Sequence, residues 1–370
     1  MKNKLFISLI TISAVLISCK QGPEKVAKEA WGNHDGKEVY LFTLTNKAGN
    51  ILKLTNFGAK INWIEIPDRN GNRNNITFGY DTFDETLKGN MSFGSTVGRF
   101  ANRIAGGKFT IDGVEYTTPL NNGPNTLHGG PKGWHSVVWD AEILKGSEPA
   151  VKFSYLSPDM EMGFPGNVNV SVVYTWTDKN EIVMDYTYTT DKKTVVNVTN
   201  HAYFNLHGEG NGDILDHELT IKASAFTPVD SVMIPLAENR PVEGTPFDFT
   251  TPHVIGERIG QDYDQLIAGK GYDHNFVLDN NEEPDAVLYD PQSGRMLEII
   301  TDQPGIQFYS GNFLSGVDKG HGGIAYNHRT GMCLEADHFP NSPNRPDFPS
   351  VIVNPGETKT TRTIYRFSVK

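Results

Sequence analysis

Cysteine is nearly absent from this chain, because 370 residues contain two thiols, Cys19 and Cys333. Two cysteines cannot form the disulfide framework of a small secreted domain. They also lie far apart in sequence, so neither belongs to the Cys-x-x-Cys pair typical of zinc and redox sites. The sequence therefore excludes a disulfide scaffold and a CxxC metal or redox site.

Positive charge is also scarce, with 33 Lys and Arg against 44 Asp and Glu and a net charge of −11. Binding to a phosphate backbone requires clustered Lys and Arg, and no basic run occurs here. We therefore expect no nucleic acid partner. Hydrophobic residues make up 38% and aromatic residues 11% of the chain, which is enough for a large core and excludes a disordered chain.

Several catalytic signatures are missing. The chain has no Gly-x-Ser-x-Gly elbow, no His-Glu-x-x-His helix and no Gly-x-x-x-x-Gly-Lys loop, which argues against serine hydrolases, zinc peptidases and P-loop nucleotidases. There is no Asp-x-Asp-x-Asp calcium loop either. Six histidines do not fall at any recognisable ligand spacing: His207, His217, His253, His321, His328 and His338. We predict no catalytic metal and no cofactor.

The N-terminus has the pattern of an export signal. Two lysines in the first four residues precede an uncharged run from Leu5 to Ser18, which has 14 residues. This run is too short to span a bilayer and is typical of a secretory signal peptide. The sequence predicts a signal peptide over residues 1–18.

The residues around Cys19 resemble a bacterial lipobox, Leu-Ile-Ser-Cys, in which the cysteine becomes the lipidated first residue of the mature protein. The alternative is a cleaved signal followed by an incidental cysteine. Residues 19–34 are polar and are interpreted as a tether. We therefore expect an exported protein that is anchored to a bacterial membrane through lipid on Cys19 and contacts the membrane in no other way.

The rest of the chain, residues 35–370, has the pattern of a single β domain. In one segment, alternate residues are apolar or aromatic and most of the residues between them are polar: Val168, Val170, Val172, Tyr174 and Trp176. Many such strands are predicted, including 108–116, 194–200 and 332–337, whereas short helices are predicted only at 83–87 and 255–267. Without βαβ spacing, this pattern favours an antiparallel sandwich or a barrel-like architecture.

Polar and aromatic residues collect in six ordered segments. They are Gly98-Arg-Phe-Ala-Asn-Arg-Ile104, Asn125-Thr-Leu-His-Gly-Gly130, Asn200-His-Ala-Tyr-Phe-Asn-Leu206, Tyr272-Asp-His-Asn-Phe276, Gln303-Pro-Gly-Ile-Gln-Phe-Tyr-Ser-Gly-Asn312 and Cys333-Leu-Glu335. Such a mixture suits a sugar site, which needs hydrogen-bonding pairs for hydroxyls, an aromatic face for C–H groups, and an acid with a base.

Taken in order, these segments resemble those of the aldose 1-epimerase, or galactose mutarotase, family, and the resemblance covers residues 35–370. It implies a large antiparallel β-sandwich. It also implies an enzyme that interconverts the α and β anomers of a free aldohexose, glucose or galactose, by acid–base ring opening and closure without a cofactor.

The resemblance also implies the two catalytic residues. Glu335 would be the base that removes the proton from the anomeric hydroxyl, and period two places it on one strand face with Cys333 and Asp337. His201 would be the acid that protonates the ring oxygen. An ordinary imidazole pKa of about 6.5 leaves roughly a quarter of the side chain protonated at neutral pH. We expect nearby carboxylates to raise that fraction.

Further residues are implied as sugar contacts. They are His128, Asn102, Arg103, Asp273 and Gln307. A structural ion pair is the alternative for Arg103, and a turn-stabilising function is the alternative for His128. Arg99 is a weaker candidate for sugar binding. Tyr203 and Phe204 are expected in the wall or the core, and His274 and Asn275 behind the site.

Three other functions stay open at this point. A glycoside hydrolase would need two opposed carboxylates, about 5–10 Å apart, for which Glu335 has only Asp273 as a companion. A non-catalytic carbohydrate-binding protein would need no acid–base pair. An epimerase of hexose phosphates would need additional Arg or Lys beside the site.

Overall fold

The computed structural model describes residues 25–279 and 283–370. The predicted signal peptide, residues 1–18, and the predicted lipidation site, Cys19, lie outside this part. No helix within it combines the length and the apolar character needed to cross a membrane.

The described chain is built mainly from strands. In chain order they are β1 Val26–His34, β2 Lys37–Thr45, β3 Ile51–Thr55, β4 Lys60–Pro67, β5 Arg73–Asn75, β6 Thr96–Val97, β7 Arg103–Ile104, β8 Lys108–Ile111, β9 Val114–Thr117, β10 Thr126–Leu127, β11 Asp140–Leu144, β12 Ala150–Ser157, β13 Val168–Trp176, β14 Glu181–Thr190, β15 Thr194–Val195, β16 Thr199–Asn200, β17 Tyr203–Phe204, β18 Glu218–Ile221, β19 Ala223–Phe226, β20 Arg240–Pro241, β21 His253–Val254, β22 Asp273–Leu278, β23 Ala286–Tyr289, β24 Arg295–Thr301, β25 Gly305–Tyr309, β26 Met332–Asp337, β27 Ile352–Val353 and β28 Thr358–Val369.

Helices are short. The α-helices are α1 Phe83–Lys88, α2 Ile255–Arg258 and α3 Asp264–Gly269, and the 3₁₀ turns are Ala105–Gly107, Trp134–Ser136, Glu161–Gly163, His321–Gly323 and Ser342–Asn344. The helix predicted over 83–87 is confirmed, and Thr82 caps it with a capping box. The helix predicted over 255–267 is instead two helices, α2 and α3, with Gly260 in the turn between them.

Three large sheets organise these strands, and all pairings between named strands are antiparallel. One sheet has five strands in the order β1-β2-β3-β4-β5. A second has nine, in the order β11-β12-β13-β14-β28-β24-β23-β18-β21, and a third has six, in the order β17-β26-β25-β22-β19-β20. The predicted strand 108–116 is in fact a hairpin, β8 and β9, because Asp112 and Gly113 turn the chain with positive φ angles.

The nine-stranded sheet packs against both other sheets. Along β13 every second side chain is buried, as its alternating sequence predicts. Phe153 of the nine-stranded sheet contacts Phe42 of the five-stranded sheet, with ring centroids 5.7 Å apart. Tyr365 likewise contacts Phe204 of the six-stranded sheet, at 5.3 Å. One continuous core therefore lies between the layers, and the predicted antiparallel β-sandwich is confirmed.

The prediction that residues 19–34 form a tether is wrong for residues 26–34. Residues 26–34 form β1, which pairs with β2 along its length, from Val26 opposite Leu44 to His34 opposite Lys37. The folded domain therefore includes residues before position 35. Most side chains of β1 are exposed, which is why its sequence is as polar as that of a linker.

Candidate active site

The candidate site lies on one face of the six-stranded sheet. Neighbouring strands place their residues in register there: Glu335 of β26 is opposite Gln307 of β25, and Asp273 of β22 is opposite Tyr309 of β25. Directly opposed residues share a face, and so do alternate residues of one strand. The sheet thus brings together a base candidate, an amide and a second carboxylate that are far apart in sequence.

Glu335 is buried, with 3% of its surface exposed, yet it lines a cavity of about 510 Å³. Its Oε2 atom has no hydrogen-bond partner among the described residues. Buried polar atoms are nearly always hydrogen-bonded, so an unpartnered carboxylate oxygen at a cavity wall marks the position of an external donor. This placement is the one that a base acting on a bound hydroxyl group requires.

His201 lies between β16 and β17, and its main chain is fixed on both sides. Its N–H donates to Ser95 O at 2.9 Å, and its carbonyl accepts from Gly94 N at 2.8 Å. Gly94 has a φ of 67°, and a Cβ there would lie 1.8 Å from the Ile61 carbonyl oxygen, so only glycine fits. The imidazole is thereby directed at Glu335, with 3.6 Å between Nε2 and Oε2.

His128 and Asn102 hold each other through a reciprocal pair of hydrogen bonds. His128 N–H donates to Asn102 O at 3.1 Å, and Asn102 N–H donates to His128 Nδ1 at 3.2 Å. Because a backbone N–H can only donate, Nδ1 has no proton, and the proton of the neutral ring is on Nε2. Both residues have positive φ angles, a strained conformation that is common at functional sites.

Arg103, Asp273 and Gln307 form a connected polar group. The Arg103 guanidinium lies 3.9 Å from Asp273 Oδ2, and the amide of Gln307 donates to Asp273 Oδ1 at 2.7 Å. Arg103 also donates through Nε to Asn122 Oδ1 at 3.0 Å. Arg103 and Asp273 line the cavity, whereas Gln307 lies behind Asp273 and leaves its Oε1 unpartnered among the described residues.

Burial shifts the pKa values of the two catalytic candidates in opposite directions. Burial lowers the pKa of His201 to about 4. It raises the pKa of Glu335 well above its ordinary value, and the nearby carboxylates Asp337 and Asp273 raise it further. The expectation that carboxylates raise the pKa of His201 is therefore wrong, because the loss of water dominates. When the pair holds a single proton, that proton therefore resides on Glu335.

The comparisons with known proteins agree with this geometry. The sequence model of the family described as aldose 1-epimerase matches residues 40–366. The chain belongs to the aldose 1-epimerase family. A galactose mutarotase from Bos taurus is 44% identical over 318 residues, which cover 85% of this chain and 90% of that protein. An aldose 1-epimerase from Escherichia coli K12 is 37% identical over 339 residues, covering 90% and 96%.

Solved structures with the same fold belong to similar proteins. A galactose 1-epimerase from Lactobacillus acidophilus NCFM has a TM-score of 0.82 at 28% identity, covering 93% of this chain and 99% of its own. An aldose epimerase homologue from C. elegans has a TM-score of 0.81 at 32% identity, covering 89% and 98%. The family resemblance found in the six sequence segments is confirmed.

The structure brings most of the residues implied by this resemblance to one cavity. They are Glu335, His201, His128, Asn102, Arg103 and Asp273. Arg99 is not among them: it is buried elsewhere and donates to five carbonyl groups, those of Ser157, Pro158, Phe164, Pro165 and Gly166. His274 lies behind the site, where its Nδ1 accepts from Asp273 N–H at 3.2 Å. Tyr203 forms part of the wall, as expected.

The cavity also contains residues that sequence analysis missed. They are Asn90, Ser92, Asn122, Gly123, Pro124, Leu127, Ser231, Val232, Met233, Tyr309 and Phe313. Tyr309 lies within the 303–312 segment, and residues 121–124 directly precede the 125–130 segment. The sequence therefore gave some indication that these positions lie near the site. Asn90, Val232 and Phe313 come from loops that only the tertiary fold brings to the rim.

The site also contains enough ligand atoms, at a suitable spacing, to bind a metal ion. The ligand atoms of His128, His201 and Glu335 lie within 4.8 Å of one another, and no second group of this kind occurs in residues 25–279 and 283–370. They are also the donors that acid–base chemistry would use. The absence of a catalytic metal stays a prediction.

Proposed function

We propose that Glu335 and His201 carry out the anomer interconversion of aldoses, which is the activity of the aldose 1-epimerase family, and that the substrate is a free hexose such as galactose or glucose. Galactose is chosen because several relatives are named galactose mutarotases. The observation that supports the pair is the 3.6 Å between Glu335 Oε2 and His201 Nε2. Two atoms so close can contact the two oxygens bonded to one anomeric carbon.

The reaction follows from this geometry. Glu335 removes the proton of O1 while His201 Nε2 protonates the ring oxygen O5, and the C1–O5 bond breaks to give the open-chain aldehyde. Rotation about C1–C2 presents the other face of the carbonyl group. The two residues then exchange functions and close the ring. Each positioned acid or base contributes about 10²–10⁴-fold.

The reactive state differs from the resting state by the position of one proton. The reaction needs an ionised Glu335 and a protonated His201, whereas burial leaves the proton on Glu335. Both arrangements contain one proton, so their ratio does not depend on pH. Moving that proton across the 3.6 Å gap generates the reactive form.

The remaining polar groups are suited to the sugar hydroxyls. Glu335 lines the cavity and has an unpartnered oxygen, Oε2. The Asp273–Arg103 pair also lines the cavity, and His128 presents an Nε2–H donor. Gln307 supports this group by fixing Asp273, and its free Oε1 is a further acceptor. We propose that Asn102, Arg103, His128, Asp273 and Gln307 together orient the ring.

The alternative functions have less support. Among the cavity-lining residues that the structure describes, Arg103 is the single Lys or Arg, and Asp273 already pairs with it, which leaves no free cation for a phosphate group. A glycoside hydrolase would use Asp273 as the second carboxylate, but Arg103 and Gln307 engage it. The ion-pair contact of Glu335 is with a histidine, His201, at 3.6 Å.

Polarimetry on freshly dissolved α-galactose and α-glucose tests this proposal. We expect the purified protein to accelerate the approach to equilibrium rotation well above the spontaneous rate. Binding without acceleration would favour a carbohydrate-binding protein instead. Acceleration with a hexose 6-phosphate alone would favour the phosphate-specific alternative.

Replacing Asp273 with Asn should weaken substrate binding. A hydrogen bond to a charged group contributes about 1.5–3 kcal/mol, so KM should rise about 10–100-fold, with a smaller effect on kcat. The matched control is Asp279→Asn, the same change immediately after the other end of β22, where the carboxylate is exposed and accepts from Ser224. An unchanged KM in Asp273→Asn would remove Asp273 from the binding site.

We also propose that the protein is exported and anchored in a bacterial envelope through lipid on Cys19. The basic start, the short apolar run and the lipobox-like Leu16–Cys19 segment support this. An anchored enzyme at this location would act on sugars that are released outside the cytoplasm.

Replacing Cys19 with Ser should abolish lipidation and release the protein from the membrane fraction, with unchanged activity per molecule, because residue 19 precedes the folded domain. Metabolic labelling with a fatty acid and detergent phase partitioning measure this. Ser18→Ala, which keeps a small residue before the cysteine, should behave like the wild type. If Cys19→Ser stays membrane-bound after a high-salt wash, the uncharged 5–18 run is the anchor instead.

A further inference from the structure

We propose that Cys333 is a positioning residue for His201: its sulfur accepts the Nδ1–H of the imidazole and so leaves Nε2 as the nitrogen that exchanges protons with the substrate. Cys333 Sγ lies 3.5 Å from His201 Nδ1, while Nε2, on the opposite side of the ring, faces Glu335. The two contacts fix which nitrogen faces which group.

The chemistry requires this tautomer. A protonated imidazole that gives its Nε2 proton to a sugar oxygen becomes a neutral ring with the remaining proton on Nδ1. If the resting neutral ring held its proton on Nε2 instead, that nitrogen could not take up the proton stored on Glu335. The hydrogen bond at the second nitrogen decides which tautomer a histidine adopts. Among the described side chains, Cys333 is the one that forms a hydrogen bond with His201 Nδ1, through its sulfur.

The sulfur is held in place by the strand pairing. Cys333 is fully buried in β26, and Tyr203 of β17 is its register partner. The Tyr203 ring stacks on His201 with centroids 5.1 Å apart and an interplanar angle of 13°. Burial raises the pKa of the thiol well above its ordinary value, so the sulfur stays uncharged. A neutral acceptor orients the ring without stabilising the imidazolium form as a carboxylate would.

The stack extends away from the site. Tyr203 lies parallel to Phe78, at 5.3 Å and 6°, and Phe78 lies parallel to Tyr326, at 3.6 Å and 5°. Three parallel rings thus lie behind the plane of the His201 imidazole. Packing therefore fixes the ring plane, and the remaining freedom is the choice of tautomer, which falls to Cys333.

The direct test is ¹⁵N NMR of the free protein labelled at histidine, because the protonated and unprotonated nitrogens of a neutral imidazole have well-separated shifts. The chain has 11 histidines, and the spectrum of His201→Asn assigns the signals of His201. We expect the neutral His201 ring of the wild type to be protonated on Nδ1. Protonation on Nε2 would overturn the proposal.

Three variants give the proposal a kinetic readout. Cys333→Ala removes the acceptor, and the His201 signals should shift towards the Nε2–H tautomer that free histidine prefers. Its kcat should fall about 10–100-fold, the range found when a metal-ligating histidine loses the partner that orients its ring, with KM little changed. Cys333→Ser keeps an acceptor and should retain the Nδ1–H tautomer and recover most of kcat. Leu334→Val, a core change on the opposite face of β26, should alter neither readout.

The outcomes separate the proposal from the assigned activity. The kinetic comparison rests on the proposed function, whereas the tautomer is read in the free protein and does not. An unchanged tautomer in Cys333→Ala overturns the proposal whether or not kcat falls, because Cys333 would then act by packing alone. If the tautomer changes in Cys333→Ala but kcat stays at the wild-type value, the claim that this tautomer is needed for catalysis is overturned. The wild-type polarimetry decides the proposed function separately.

Discussion

Replacing Glu335 with Gln should lower kcat/KM for mutarotation by at least about 10²-fold, the low end of what a general base contributes. The change keeps the size and the buried position of the side chain and removes its ability to accept the O1 proton. Polarimetry with the spontaneous rate subtracted measures the effect. Turnover close to that of the wild type would remove Glu335 from the position of the base.

Two controls show whether such a loss is chemical. Glu181→Gln makes the same change on the nine-stranded sheet, at an ion pair with Arg366, and should leave activity unchanged. Thermal unfolding checks the fold. The pKa of the Glu335 carboxyl is higher in the native state than in the unfolded chain. Glu335 therefore lowers the free energy of unfolding as pH rises above the ordinary pKa of a glutamate, because there the unfolded chain releases the proton more readily than the native protein does. The Glu335→Gln variant should therefore be at least as stable as the wild type at neutral and mildly alkaline pH.

The second large effect concerns His201 and pH. Activity requires one proton on the Glu335–His201 pair, so kcat/KM should follow a bell. Because burial lowers the pKa of His201 to about 4, the acid limb reports the second proton, which His201 takes up. The alkaline limb reports loss of the single proton from Glu335, at a pH well above the ordinary carboxyl range. For isolated side chains the acid limb would belong to the glutamate and the alkaline limb to the histidine. In this site the two assignments are exchanged.

His201→Asn should reduce kcat/KM by about 10²–10⁴-fold and reverse the pH dependence on the alkaline side. Without the acid, the residual rate depends on an ionised Glu335 alone, so it should rise with pH where the wild-type rate falls. The charged and titratable neighbours of the pair include Arg103, Asp273, Asp337, His128, Cys333 and Tyr203.

These profiles can contradict the assignment. A His201→Asn variant that keeps a falling alkaline limb would show that another group donates the proton, and His128 is the nearest candidate, with its ring 5.0 Å from that of His201. A wild-type acid limb near the ordinary pKa of histidine would show that bound water or charge offsets the burial of His201.

The sequence predicts the main elements of the site because its chemistry lies in short, ordered segments. Period two in β26 places Glu335 on the same face as Cys333, and the loop before β17 positions His201 at the end of a strand. The alternation in β13 predicts the core in the same way. The local sequence pattern is sufficient to predict a site or core residue wherever the alternation along a strand determines which face of the sheet its side chain lies on.

Other features depend on contacts across the fold. β1 is an edge strand with mostly exposed side chains, so its sequence has no alternation to distinguish it from a tether. Phe313, 52% exposed at the rim, directly follows the 303–312 segment, whose pattern does not indicate that the next side chain reaches the cavity. The direction of the pKa shift at His201 depends on how completely the fold removes water, which the position of carboxylates in the sequence does not reveal.

The central claim is that Glu335 and His201 open and close the ring of a free sugar. Exchange NMR tests it most directly, by following the α and β anomeric protons of galactose at equilibrium with the protein, beside methyl α-galactoside, whose O1 has no proton for Glu335 to remove. We predict rapid α–β exchange for galactose that is lost in Glu335→Gln, and neither exchange nor cleavage of the methyl glycoside. Galactose exchange at the spontaneous rate, or release of galactose from the glycoside, would contradict the account.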